Sequence, residues 1–456
     1  MGGEEYMKDL KINGGRMNTL LHESCQYGVG QRWGREADYK KSSGSTETGM
    51  SRLALSDSDK EVRDWFVTTT KRLGCNVIVD AMGNIFAVRP GKRDGWPTYI
   101  GSHLDTQPRG GRYDGILGVL AGVEVLQALN DYNVETEYPV GVVNWTNEEG
   151  ARFPMITVAS GVWAGEISLE RAHNLHEVGG GTATMKSELS RIGYLGSTPA
   201  SYRAMSMAAY FELHIEQGPI LEANNQKIGV VIGVQAYKWF TVDIIGQVGH
   251  TGTTPLSERG DALLLAARMI TLSNRLATKH VAVITTGVLN VSPGSVNTIP
   301  GHVRFTLDVR ARTDSTIDAI EAELKRDYAA LAAGHNVGGL LDGATPGKPL
   351  EVSWQTDSVS PATKFHPKCI DLVRASAETA TGSKALFRDI MSGAGHDSVH
   401  TAKRCPTAMI FVPSKNGISH NTEEYTSPED CALGAEVLLQ SVLRYDRVRS
   451  SEEIEW

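Results

Sequence analysis

Residues 98–118 read TYIGSHLDTQPRGGRYDGILG. The stretch begins as a short apolar run, Tyr99 and Ile100 behind Trp96 and Pro97, which predicts a buried strand ending at Gly101. The loop beyond it carries His103, Asp105 and, after two glycines, Asp114. An imidazole and a carboxylate delivered at a strand end suit a divalent metal, and a second carboxylate two residues from the histidine can fix its tautomer. Each residue also fits a plainer role. A His or Asp after a strand is commonly a turn residue, and Asp114, ahead of the helix-like run Ile116 to Leu129, fits an N-cap.

The segments on either side extend the pattern. Upstream, Val62, Trp65, Phe66 and Leu73 recur at helical spacing after Ser58, with Gly74 as a stop, and strand-like runs follow at Cys75 to Val79 and Ile85 to Val88. Downstream, the apolar run Val140 to Trp145 ends in Thr146, Asn147, Glu148, Glu149 and Gly150. This is either a solvated turn or a pair of carboxylates in the crevice that open α/β sheets form at the carboxyl ends of their strands. Residues 165–207 are more polar and are expected to wander over the surface. Ala208 to Ile215 alternates like a strand and carries His214 into EQGP; Ala408 to Val412 leads into PSKNGISHNTEE, with His420; Cys431 to Tyr445 reads as a closing helix. Strands alternating with helices predict an α/β sheet.

Between these blocks the pattern changes. Two strand-like segments fill Ile228 to Ile245, then come QVGHTGTTP with His250, a helix-like run Asp261 to Leu276, and strands at Val281 to Val291 and His302 to Arg310. In the last, Val303, Phe305, Leu307 and Val309 face one way, and Arg304, Thr306, Asp308 and Arg310 the other. Ser315 to Ala333 sets Ile317, Ile320, Leu324, Tyr328 and Leu331 on one helical face and stops at Gly334. The order ββαββα predicts a smaller α+β sandwich inserted at 228–356, between a first part at 1–227 and a second at 357–456.

Composition narrows the function classes. A chain of 456 residues exceeds one hydrophobic core, so two domains are expected. A net charge of −8 without a basic block argues against nucleic acid or an anionic membrane as partner. Five scattered cysteines without a CxxC pair fit a reducing compartment, and no apolar stretch approaches the length of a membrane span. The first fifteen residues hold no apolar signal core, so a cytoplasmic location is expected.

Collected, the strand-end candidates are His103, Asp114, Glu149, His214 and His420, with Glu148 beside them. Two metals sharing Asp114 would each have protein ligands and room for a water. Imidazole with carboxylate suits zinc, and manganese, cobalt or nickel are compatible. Glu148 is then free to act as general acid/base.

The ordered segments GSHLDTQPRGGRYDGILG, NEEGARF, HIEQGP, GHTGTTP, SVNTIPG, SGAGHD and GISHN resemble the M20 family of metal-dependent amidohydrolases. The resemblance is narrower to its N-carbamoyl amino acid hydrolase branch, which includes fungal-type β-ureidopropionase and allantoate amidohydrolase, and it runs from about Arg32 to Tyr445. It implies a two-metal catalytic domain interrupted by a smaller dimerisation domain, in a homodimer. It implies metal ligation by His103, Asp114 (bridging), Glu149, His214 and His420, with Asp105 orienting His103 and Glu148 as the general acid/base. His250 matches the residue that stabilises the tetrahedral intermediate, and Asn297, Arg310, Gln217 and His396 match substrate-binding positions. Without the resemblance, Arg310 reads first as an exposed strand arginine and His250 as a turn histidine.

The implied reaction is hydrolysis of an N-carbamoyl amino acid to the amino acid, carbon dioxide and ammonia. The near match to fungal enzymes through GVQAYKW, SGAGHDS and MIFVPSK favours N-carbamoyl-β-alanine, while ARFPMITVASGVWAG departs from the common bacterial pattern. The alternatives, in order, are allantoate or another ureido acid, an M20 aminoacylase or dipeptidase activity, and a non-catalytic metal-binding relative.

Overall fold

The computed structural model describes residues 10–32 and 48–451; the readings that fall on 1–9, 33–47 and 452–456 lie outside them. The chain divides into a larger unit, Met1–Gly233 with Lys364–Trp456, and a smaller one, Val234–Thr363. Among the described residues no helix is long and apolar enough to cross a membrane.

The larger unit opens with helix α1 (Gly14–Ser24), helix α2 (Asp57–Arg72) and strands β1 (Asn76–Val79), β2 (Ile85–Arg89) and β3 (Thr98–His103). Helix α2 starts two residues earlier than its sequence suggests, because Ser56 rather than Ser58 caps it, accepting from the Asp59 N–H at 3.2 Å. Next come helix α3 (Ile116–Asp131) and strands β4 (Val140–Trp145), β5 (Ala209–Ile215) and β6 (Ile228–Val234). Helix α3 is apolar nearly all round and accordingly buried. A Cβ on its Gly118 would lie 2.4 Å from the Leu213 carbonyl oxygen, so this helix packs on the sheet at a distance only glycine permits. Residues 165–207 lie largely on the surface, as expected, but are not without structure: they hold helices Leu169–His173 and Met185–Ile192, the second burying Met185, Leu189 and Ile192 at helical spacing.

The smaller unit comprises strands β7 (Ala236–Ile245) and β8 (Gly249–His250), helix α4 (Ala262–His280), strands β9 (Val283–Thr285), β10 (Leu289–Ser292), β11 (Thr298–Ile299) and β12 (His302–Ala311), helix α5 (Asp314–Ala332) and strand β13 (Glu351–Ser360). Its antiparallel sheet runs β9–β12–β7–β13, with β10 also on β12. The alternation in β12 places Val303, Phe305, Leu307 and Val309 in one core with Phe240 and Val242 of β7. Met269 and Leu276 of α4 and Ile320, Leu324 and Tyr328 of α5 close that core.

The chain returns to the larger unit through helix α6 (Pro367–Thr381), strands β14 (Phe387–Ser392) and β15 (Thr407–Val412) and helix α7 (Pro428–Ser451). The main sheet has the order β6–β15–β5–β3–β4–β2–β1 along its length. Its centre, β15–β5–β3–β4, is parallel and flanked by antiparallel neighbours, and all four central strands are buried throughout. The boundaries drawn from sequence at 228 and 356 shift. Strand β6 pairs with β15, Val231 opposite Met409, and so belongs to the main sheet, while β13 carries the smaller unit on to Thr363. An apolar run does not name its pairing partner, and that partner decides which unit owns it.

Candidate metal centre

Because β4, β3, β5 and β15 run parallel, their carboxyl ends share one edge of the sheet, where open α/β sheets place ligands. His103 is the last residue of β3, opposite Trp145, the last of β4. His214 stands in β5 opposite Phe411 of β15. Glu148 and Glu149 follow β4, His420 follows β15, and Asp114 lies two residues before α3. Asn147, Gln217 and His420, one in each of the loops after β4, β5 and β15, adopt positive φ (56°, 57° and 52°) without being glycine. Backbone strain of this kind persists only where the surroundings enforce it, and it collects at functional sites.

Asp114 divides its two oxygens. Oδ1 lies 3.0 Å from His214 Nε2 and 3.7 Å from His103 Nε2, while Oδ2 lies 3.3 Å from His420 Nε2, itself 3.3 Å from Glu149 Oε2. Two groups result, His103–Asp114–His214 and Asp114–Glu149–His420, the donor atoms within 4.8 Å of one another in each. Glu148 belongs to neither, with Oε2 3.5 Å from His103 Nε2.

The imidazoles are aimed by backbone. His103 Nδ1 donates to the Asp105 carbonyl at 2.9 Å and His214 Nδ1 to the Ile215 carbonyl at 2.8 Å, which turns both Nε2 atoms toward Asp114. This corrects the expectation for Asp105: its carbonyl, not its carboxylate, orients His103. The carboxylate instead accepts the backbone N–H groups of Glu148 and Glu149, each at 3.3 Å, and so sets the turn that presents the glutamate pair. Gly115, with φ 68°, takes the N-cap position that Asp114 could have filled, and a Cβ there would meet the His103 ring at 2.3 Å.

Gln217, matched to a substrate position, touches Asp114: Nε2 donates to Oδ2 at 2.8 Å. His396 is buried with its ring 4.5 Å from that of His214 and its Nε2 2.9 Å from Ser392 Oγ. The remaining three lie in the smaller unit. His250 lies on β8 opposite Thr298 of β11, and Asn297 just precedes β11, where the Thr251 N–H donates to its carbonyl at 3.3 Å. Arg310 on β12 donates from Nε and Nη2 to the Asp308 carboxylate and lies over the Tyr237 ring at 5.5 Å.

Three supporting residues escaped the sequence reading. Glu424 Oε1 accepts the N–H groups of Tyr113 and Asp114 at 3.0 and 2.9 Å, Ser419 Oγ donates to Asp114 Oδ2 at 2.9 Å, and Gln107 Nε2 donates to Glu149 Oε2 at 2.8 Å. The doubled glutamate 423–424 was the available signal, since it repeats the 148–149 pair at another strand end.

The electrostatics call for cations. Burial first, then neighbouring carboxylates, pushes Glu148 well above the usual carboxylate range; burial likewise pushes Glu149 up to about 8 and Asp105 to about 7. For Asp114 burial acts upward too, but hydrogen bonds from His214 and His420 prevail and hold it well below its ordinary value. Burial lowers His103 to about 4, whereas Asp114 outweighs burial at His214 and raises it to about 9. A buried cluster with this many carboxylates keeps them charged only when positive charge is supplied, and three imidazoles, of which His420 is exposed, with two carboxylates form a donor set for divalent first-row metals.

A family model described as peptidase family M20/M25/M40 matches residues 99–444, a span holding every residue named above as a candidate ligand. The chain belongs to this family. Membership in the M20 group implies dependence on divalent metal, in agreement with the two ligand groups. An N-carbamoyl-L-amino-acid amidohydrolase from Rhizobium meliloti is 39% identical over 398 residues, 87% of this chain and 91% of that protein. An allantoate amidohydrolase from Escherichia coli is 31% identical over 396 residues, 86% of this chain and 91% of its own. Among solved structures, an amidase of the hydantoinase/carbamoylase family from Burkholderia multivorans superposes with a TM-score of 0.84 at 42% identity, covering 98% of this chain and 100% of that one.

Proposed function

We propose that this M20 chain hydrolyses the ureido C–N bond of an N-carbamoyl amino acid, releasing the amino acid, carbon dioxide and ammonia. The observation that carries the reading is Asp114 dividing its oxygens between two ligand groups, with Glu148 beside His103 and in neither group, in a chain whose relatives are named for ureido acids. Divalent cations, best matched by zinc, supply Lewis acidity toward the ureido carbonyl and toward a water when bound. Asp114 is shared, with His103 and His214 on one side and Glu149 and His420 on the other.

Glu148 Oε2 receives the proton of the attacking water and returns it to the leaving nitrogen; its burial, which favours the protonated carboxyl, suits it to hold that proton in transit. Asp105 keeps Glu148 and Glu149 in register through their backbone N–H groups. Arg310 takes the substrate carboxylate, and its fork already grips a carboxylate, that of Asp308. Asn297 contributes to substrate binding and His250 to neutralising the oxyanion. The reading includes a homodimer through the smaller unit, acting in the cytoplasm.

N-carbamoyl-β-alanine is the expected substrate. The relatives named for N-carbamoyl-L-amino acids and for allantoate supply the second reading. Ammonia release from N-carbamoyl-β-alanine, N-carbamoyl-L-α-amino acids and allantoate, beside acid release from N-acetyl amino acids, tests both. Fastest turnover of N-carbamoyl-β-alanine supports the first and of another ureido acid the second. Hydrolysis of acyl substrates alone overturns the ureido assignment.

A further inference from the structure

A cavity of about 910 Å3 opens at the edge of the main sheet opposite the metal centre, where the amino ends of β3, β5 and β15 lie side by side. The residues just ahead of each strand line it: Trp96 before β3, Met207 before β5 and Pro406 before β15. These strands are six or seven residues long, so roughly 20 Å of extended chain separates the cavity from the metal centre. The volume is ample for a small molecule.

The floor is apolar and aromatic, with Trp163, Phe365 and Met207 buried. The rim is cationic, carrying Arg203, Lys364, Arg404 and Arg449, and among the described residues no acidic side chain lines it. Such a concentration of positive charge runs against a net charge of −8.

Two of the four cations are fixed as walls. Arg404 lies over the Tyr202 ring at 4.5 Å and pairs with Glu166 at 3.3 Å. Arg449 stacks on Tyr138 at 3.8 Å and donates to the Trp96 carbonyl at 2.6 Å. Arg203 and Lys364 differ: both are exposed, and neither forms an ion pair among the described residues, Glu166 being engaged by Lys403 and Arg404. Arg203 too lies over Tyr202, at 5.4 Å, which holds its guanidinium toward the cavity rim.

An aromatic floor under a rim on which Arg203 and Lys364 have no ion-pair partner among the described residues selects a flat ring that bears negative charge. The ring gains stacking and burial, and the anion gains charge-assisted hydrogen bonds that the protein itself leaves unmade. We propose that this cavity binds a small aromatic anion, its ring against the Trp96 and Phe365 surfaces and its carboxylate or phosphate on Arg203 and Lys364. The assignment is independent of the ureido reading, since the cavity lies at the other end of the strands.

Calorimetric titration of the full chain with indole-3-acetate as the carboxylate and adenosine monophosphate as the phosphate tests it, with tryptamine and adenosine as counterparts lacking the negative charge. At least one anion is expected to saturate at submillimolar concentration, and which one does so identifies the anionic group. The counterpart should bind on the order of tenfold more weakly, and Arg203→Glu and Lys364→Glu should each cost a similar factor, about 1.4 kcal/mol. Hydrolytic turnover should stay unchanged in both variants. Trp96→Ala, at a side chain already 59% exposed, should weaken binding without a charge change. No saturation by either anion at several millimolar, or wild-type affinity in all three variants, would overturn the proposal.

Discussion

Asp114 can serve two ligand groups only if each of its oxygens is held to its own side, and the surrounding residues do this. Glu424 fixes its backbone N–H, while Gln217 and Ser419 donate to Oδ2. Beside it, Gly115 is required twice over, by its positive φ and by the 2.3 Å that a Cβ would leave to the His103 ring. Gly115→Ala is therefore predicted to lower stability by about 1–3 kcal/mol and to weaken metal binding, as read by thermal melting and metal titration. A variant with unchanged melting and unchanged metal affinity would show that the loop relaxes freely. Glu148→Gln makes the complementary case. It should keep wild-type metal content and lose about a thousandfold in turnover, the range for general acid–base catalysis, because Glu148 stands outside both ligand groups. The candidate ligands were legible in the sequence because each follows an apolar run. The role of Asp105 was not, because sequence spacing cannot tell a carbonyl that orients a ring from a carboxylate that does. Glu424 hid for a similar reason: a loop glutamate reads as solvated until its two backbone donors are seen.

At the scale of elements, four parallel strands do the placing. Strand β5 shows how its pattern misleads: its alternation suggests one wet face, yet every residue is buried. The polar positions Glu212 and His214 face partners instead of water, Glu212 Oε1 accepting from Ser102 Oγ at 2.8 Å. Helix α3 must lie close for this to hold, and Gly118, 2.4 Å from the Leu213 carbonyl in Cβ terms, sets how close. Gly118→Val should push α3 off β5 and cost about 1–3 kcal/mol as an overpacked core site, with a loss of metal affinity that follows the displacement of Asp114 ahead of the same helix. Denaturant unfolding and metal titration of the variant check this; a stability loss with intact metal affinity would uncouple the helix from the site. Strand β6 was assigned to the wrong unit and the helices within 165–207 were missed, both because pairing and packing partners distant in sequence decide such segments.

At the scale of the whole molecule, buried acid makes stability depend on pH and on cations together. Without cations, burial holds Glu149 up to about 8 against an ordinary 4.5 and Glu424 up to about 7. Both keep a proton in the folded chain that the unfolded chain has lost, so the stability they contribute is present below about pH 4.5 and lost as the pH rises through 7 to 8. His103, lowered to about 4, works in the opposite direction, but only up to its ordinary 6.5. Between pH 6.5 and 8 the chelated chain should therefore melt at progressively lower temperature, and added divalent cation should raise Tm more at pH 8 than at pH 6.5. A chelated Tm that is flat or rising across that window in scanning calorimetry would contradict this.

The division into two units was foreseeable from the change of pattern near Ile228, though its boundaries needed the strand pairings. Asp114 is the side chain common to both ligand groups among the described residues, and the direct measurement is the number of divalent cations bound per chain in wild type and in Asp114→Asn. The predicted result is two per chain in wild type, one for each group, with both lost from the variant while its fold, followed by circular dichroism, remains. A variant that still holds two, or a wild-type chain that binds none at saturating metal, would contradict it.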